Sequence, residues 1–167
     1  IDLEHVYGGG DYYCAAHGPA LADIDDDGQI EVIMGFNVLS GDGLTLEWSR
    51  STVNSSNGRG WWSAFREGGA GYWNSGYHSF PYDMNGDGRF MEVVAGKHVY
   101  THDGDVYCEL GRYEGSRWVT ARDGYPAVAD LDGDDRPEIV LTGNEEVAVY
   151  DGTPLGGRCE EIARLPN

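Results

Sequence analysis

Short apolar runs recur along the chain, each set between glycine-rich and acid-rich stretches. Three of them, EVIMG at 31–35, EVVAG at 92–96 and EIVLTG at 138–143, close a cluster of acidic residues. Each cluster is led in by another apolar segment (GPALAD, SFPYD or GYPAVAD), and each run is followed by two more, as in KHVYTHDGDVYCEL. No segment sustains a 3.6-residue apolar period, so strands are expected throughout, with helices minor. The clusters start at Asp23, Asp83 and Asp130, which sets the repeats 60 and 47 residues apart. In the third repeat YPAVAD, EIVLTG, EVAVYD and RCEEIAR read as four successive strands. SGDG, THDG and YDG read as hairpin turns between third and fourth strands, with Gly or Asp taking a positive φ. Four strands in about 40–60 residues describe a propeller blade. The expected fold is therefore all-β, three four-stranded propeller-like blades, at 11–57, 81–115 and 116–167. A strand with a glycine joint (1–10) precedes them, and an aromatic, glycine-rich insertion (58–80) follows the first.

The polar half of the repeat carries the chemistry. DIDDDGQIE, residues 23–31, packs five carboxylates into nine residues. Like charges at that density repel, so the loop needs a cation or it opens. A tight loop turns alternate side chains inward and gathers Asp23, Asp25 and Asp27 round one point. The Gln29 carbonyl adds an oxygen, Glu31 closes the far side, and Gly28 permits the sharp turn. An all-oxygen set suits calcium, which takes about six to eight oxygens in irregular geometry. An EF-hand begins the same way but requires a bidentate acid at its twelfth position and helices on both sides. That position is Met34 in the first loop and Leu141 in the third, both in β-like runs. The plainer alternative is three acidic surface turns without metal; the threefold recurrence of one spacing weighs against it.

Composition narrows the function classes. With 29 acids against 11 bases, the formal charge of −18 excludes a basic nucleic-acid face and an anionic membrane surface as partners. Trp 5, Tyr 11 and Phe 4 argue for a packed core rather than disorder. No stretch approaches the roughly 20 apolar residues of a membrane-spanning helix. No signal peptide is seen, and a start at Ile1 suggests a mature product or a fragment. The three cysteines, Cys14, Cys108 and Cys159, form no CxxC pair, which leaves zinc little support. Cys108 and Cys159 read as matching places in the fourth strands of adjacent blades, too far apart to bond. Asn54 opens an NSS sequon.

The acidic loop followed by an apolar strand and a glycine resembles the FG-GAP/VCBS repeat of integrin α-subunit β-propellers, over residues 15–165. The resemblance implies a calcium loop in each blade, between its first and second strands, and so up to three calcium ions. It repeats the first site as Asp23, Asp25, Asp27, Glu31 and the Gln29 carbonyl. The third becomes Asp130, Asp132, Asp134, Glu138 and the Arg136 carbonyl, with Asp135 in the left-handed conformation where glycine is usual. The second becomes Asp83, Asn85, Asp87 and the Arg89 carbonyl; Glu92 arrives one residue late because of Met91, and a bulge would absorb the extra residue. With one carboxylate fewer, this site is expected to bind most weakly.

The loops link strands and leave no room for a substrate, so the calcium is expected to be structural and the chain not an enzyme. Weak calcium sites fit an extracellular, cell-surface or periplasmic setting. Known propellers have about four to eight blades, and three leave open edges. The chain is therefore expected to be part of a larger propeller, or to bind a protein partner or copies of itself. Residues 1–10 offer a strand for a neighbouring subunit's sheet edge, which would build a homo-oligomer or filament. A lectin-like alternative rests on Trp61, Trp62, Tyr72 and Trp73, with Phe65 and Tyr77 nearby, as a platform for sugar rings. Packing between blades or subunits is the competing use of those rings. A polysaccharide lyase module is the enzymatic alternative. His98 and His102 read as surface or turn residues, and no HExxH or GxSxG motif occurs.

Overall fold

The computed structural model describes residues 19–35, 37–43, 45–50, 78–122, 124–143 and 146–166. The N-terminal strand and glycine joint, Cys14, Asn54 and the aromatic residues Trp61, Trp62, Phe65, Tyr72, Trp73 and Tyr77 lie outside them. The described residues are all-β, with no helix. The first repeat forms β1 (Ala20–Ala22), β2 (Glu31–Met34), β3 (Asn37–Leu39) and β4 (Leu46–Ser49). The second forms β5 (Ser79–Tyr82), β6 (Glu92–Ala95), β7 (His98–Tyr100) and β8 (Val106–Glu114), which folds back on β9 (Arg117–Thr120). The third forms β10 (Tyr125–Ala129), β11 (Glu138–Gly143), β12 (Glu146–Asp151) and β13 (Arg158–Pro166). Each repeat is an antiparallel meander in chain order. The first stands as its own four-stranded sheet, while the second and third join through β8 and β13 into one nine-stranded sheet.

The registers place the closing glutamates at equivalent positions in the three repeats. Glu31 stands opposite Ala22, Glu92 opposite Tyr82 and Glu138 opposite Ala129. Alternation along the strands then gives every sheet two faces. The face that carries the glutamate, called forward here, holds Ile33, Val38 and Trp48 in the first repeat and Val94, Val99 and Cys108 in the second. The opposite, backward face holds Val93 and Tyr100 in the second repeat and Ile139, Leu141, Ala148 and Tyr150 in the third. The forward face of the first repeat and the backward face of the second share one buried cluster. The forward face of the second and the backward face of the third share another. The middle repeat is thus buried on both sides, and β6 and β7 have no exposed residue.

Polar links reinforce both junctions. The Trp48 indole N–H donates to the His102 carbonyl at 2.7 Å, and the Arg50 guanidinium donates to the Gly104 carbonyl. Between the second and third repeats, Cys108 and Cys159 form a disulfide with Cα atoms 5.6 Å apart. This overturns the expectation that the two are too distant. They do not occupy matching places: Cys108 lies opposite Val99, whereas Ala163 lies opposite the equivalent Val149. Cys159 sits earlier, where β13 runs parallel to β8 and Cys159 stands against Leu110.

Two turn glycines serve a purpose other than the one expected. Gly104 has a φ of +82°, but Gly41 and Gly152 stay out of the left-handed region. At those two positions a Cβ would meet the Ile30 or Pro137 carbonyl oxygen at 1.9 or 2.1 Å. Close approach of two backbones, not handedness, is what demands glycine there.

His98, expected at the surface, is buried at the first junction and stacks on Tyr100 with ring centroids 5.8 Å apart. Its Nε2 lies 3.5 Å from Glu109 Oε1, and its Nδ1 has no hydrogen-bond partner. Burial, with Lys97 second, pushes its pKa down from 6.5 to about 4 against the pull of Glu109. The unfolded chain therefore takes up the proton first as pH falls. Stability is full above pH 6.5 and is lost down to about pH 4. The loss from this group is on the order of 3 kcal/mol. Urea melts at stepped pH should show a shallower acid slope for His98→Asn than for the wild type; equal slopes would refute the assignment.

Candidate metal centres

The three acidic loops span the gaps between β1 and β2, β5 and β6, and β10 and β11. Their hydrogen bonds follow one plan. The first aspartate accepts two or more backbone N–H bonds from across its loop, from Asp27 and Gly28 to Asp23 at 3.1 and 3.0 Å. Asp83 accepts from Gly86, Asp87 and Gly88, and Asp130 from Gly133 and Asp135. The residue at the third position accepts from the N–H two residues on: Asp25 from Asp27, Asn85 from Asp87, Asp132 from Asp134. The residue at the fifth position does likewise: Asp27 from Gln29, Asp87 from Arg89, Asp134 from Arg136. These are Asx-type turns, which tie each carboxylate to its own loop.

The chain can take this path because two residues per loop adopt a positive φ. They are Asp26 and Gly28, Gly86 and Gly88, and Gly133 and Asp135. Asp135 takes the left-handed conformation expected of it, with φ +66°. The first member of each pair was not foreseen; its signal is an Asp or Gly at the fourth loop position, alongside the Gly or Asp at the sixth.

The closing glutamate acts the same way in all three loops. Glu31, Glu92 and Glu138 are buried, and each accepts from the backbone N–H of the residue after the first aspartate. The distances are 2.8 Å from Ile24, 2.9 Å from Met84 and 2.7 Å from Leu131. The late arrival of Glu92 is absorbed within the loop, where the Met91 N–H bonds across the junction to the Ile24 carbonyl at 3.0 Å.

Carboxylate oxygens of Asp23, Asp25 and Asp27 come within 4.8 Å of one another, as do those of Asp130, Asp132 and Glu138. Glu31 and Asp134 stay outside those groupings. The second loop gathers no such three acids among the described residues: Asn85 stands in an acid's place, and its amide donates to Glu92 Oε1 at 3.0 Å. Burial first, then repulsion from neighbouring aspartates, raises the pKa of Glu31 and of Glu92. Two backbone N–H groups, Arg89 then Phe90, lower that of Asp87. Glu47 on β4, not picked out in the sequence, is exposed but belongs to the same field: partial desolvation, then Glu31 and two loop aspartates, raises its pKa. The Arg89 guanidinium reaches Asp26 at 3.5 Å and links the first loop to the second.

The donor set tests well against a hard cation. Every converging side chain offers oxygen and nothing soft competes; the first loop has no lysine or arginine of its own, while the second and third carry Arg89 and Arg136. Of the residues named in the sequence, Asp23, Asp25 and Asp27 and, in the third loop, Asp130, Asp132 and Glu138 are the ones placed to hold an ion, and the second loop is less well assembled.

No family model and no curated protein matches the chain. A solved structure does: that of the V. cholerae biofilm matrix protein Bap1, at 26% identity with a TM-score of 0.59. The match covers 95% of this chain and 22% of Bap1, so the chain spans about a fifth of that protein's length.

Proposed function

We infer that this chain is a calcium-stabilised structural module of an extracellular matrix, built from three propeller-type blades of the FG-GAP/VCBS kind. The observation that carries this reading is the common wiring of the three acidic loops, down to the glutamate that clamps the same backbone N–H in each. Convergence of three carboxylates on one point, in the first loop and again in the third, favours a divalent cation. The likeness to a protein titled as a biofilm matrix protein supports an extracellular, adhesive or scaffolding role through contacts with protein or copies of itself. A structural disulfide fits an oxidising compartment.

The chain's own residues do most of the work. The Asx turns aim the carboxylates before any ion arrives. The closing glutamate ties the loop to the strand that lies under it, so that loop and sheet order together. Ile24 and Met84, second in their loops, sink into the junctions with the next repeat. When bound, calcium supplies the positive charge that lets these carboxylates stay together ionised. Calorimetric titration of calcium into chelator-treated protein should find up to three sites, the second loop weakest. Asp130→Asn with Asp132→Asn should remove one of the tighter sites. Absence of binding, or binding indifferent to those substitutions, refutes the reading.

A further inference from the structure

The two junctions inside the chain obey one rule: the forward face of a repeat packs on the backward face of the next. Among the described residues, that rule leaves one face of each kind without a repeat packed on it. The backward face of the first repeat carries the row Leu21, Val32, Leu39 and Leu46, in which Leu39 is buried but Leu21 and Leu46 are more than half exposed. The forward face of the third repeat carries Val140, Val149 and Ala163 in one row and Val147 and Leu165 in the next. Ala163 and Leu165 are exposed there.

The second loop residue reports on what covers each forward face. Ile24 is 0% exposed beneath the second repeat, and Met84 is 3% exposed beneath the third. Leu131, their equivalent, is 55% exposed. All three glutamates hold the backbone of these residues in one position, so the difference lies in what packs over the side chain and not in the loop. An exposed leucine in a site built to be covered is a sign of an interface.

We propose that the forward face of the third repeat binds the backward face of the first repeat of a second copy of this chain, head to tail, continuing the internal packing rule across the boundary. The proposal rests on the structural-module reading above and adds the partner and the surfaces. The second copy is favoured because the two leftover faces are the two halves of the junction that the chain already makes twice. Such a contact is heterologous: it is not satisfied by pairing a face with itself, and it builds rings or open chains.

Sedimentation velocity of the intact chain in saturating calcium tests this. Wild-type protein should associate with rising concentration. Leu165→Asp with Ala163→Arg on the forward face should weaken association at least about tenfold, because each places a charge in an apolar contact. Leu21→Asp with Leu46→Asp on the backward face should do the same. Mixing the two variant proteins should restore a dimer and nothing larger, since each retains the face the other lacks. Leu155→Asp, at an exposed position outside both faces, should change nothing. A monomeric wild type, association indifferent to the face variants, or a mixture that stays monomeric would each overturn the proposal. Calcium binding is measured on the same samples. A chain that binds calcium but stays monomeric overturns the assembly alone, and one that associates without binding calcium overturns the module reading alone.

Discussion

Removal of calcium should lower the melting temperature of the chain by roughly 15–30 °C. An ion at about a hundred times its Kd stabilises the folded state by about 2.7 kcal/mol, so three ions contribute about 8 kcal/mol. A chain of this size shifts by about 2–4 °C per kcal/mol. The effect is large because the stability of a typical domain is only about 5–15 kcal/mol. Its structural basis is the crowding of carboxylate oxygens within 4.8 Å in the first and third loops. Three divalent ions would also bring the formal charge of −18 to −12 through six added positive charges, easing repulsion over the whole molecule. Monovalent salt screens that general repulsion. The difference between calcium and chelator should therefore persist at raised ionic strength, where only the specific sites remain. Thermal melts with calcium and with EDTA, at matched salt, decide the matter. An unchanged melt would remove the structural role of the loops.

Loss of the Cys108–Cys159 disulfide should be the second large effect. The bond closes a loop across 51 residues of sequence, and loop-closure entropy at that length amounts to about 4 kcal/mol. The paired substitution Cys108→Ala and Cys159→Ala should lower the melting temperature by roughly 10–15 °C. Both sulfurs are buried, so part of the loss comes from the two small cavities left behind. The position of the bond gives the loss a signature. It ties the parallel contact of β8 with β13, which is where the second and third sheets become one. Hydrogen exchange should accordingly accelerate in β13 before it does in β3 or β4. A loss below about 1 kcal/mol would mean that the parallel contact holds the outer strands without the bond.

The parts of the fold that were legible beforehand are those written in short-range pattern. EIVLTG and EVAVYD became β11 and β12 with the bounds expected, because alternation and turn residues act over a few positions. The loops were legible for the same reason. Asp23 bonds to Asp27 and Gly28, four and five residues away, so the spacing alone dictates the geometry. The displaced Glu92 was the hardest case in sequence, yet its backbone partner, Met84, matches that of its counterparts, because the strand pairing of Tyr82 with Glu92 fixes it more firmly than residue counting does.

Other features were illegible because they join residues that only packing brings near. His98 reads as a turn residue until the first repeat covers it. Cys108 and Cys159 read as equivalent until the register puts Ala163, not Cys159, in the equivalent place. The exposure of Leu131 means nothing in sequence, where it is one more apolar residue in an acidic loop; it gains meaning only beside Ile24 and Met84.

The sequence by itself determined the repeat, its four strands and its acidic loops, since these depend on contacts within a few residues and on the fixed alternation of side chains along a strand; it did not show β9, which lies within the bounds expected of the third blade yet pairs with β8 of the second. The tertiary structure alone decided which face of each sheet is covered, which outer strands lie side by side and hence which cysteines bond. Those choices depend on how whole sheets stack, and stacking is governed by the summed burial of residues from about 50 positions apart, which no local pattern records.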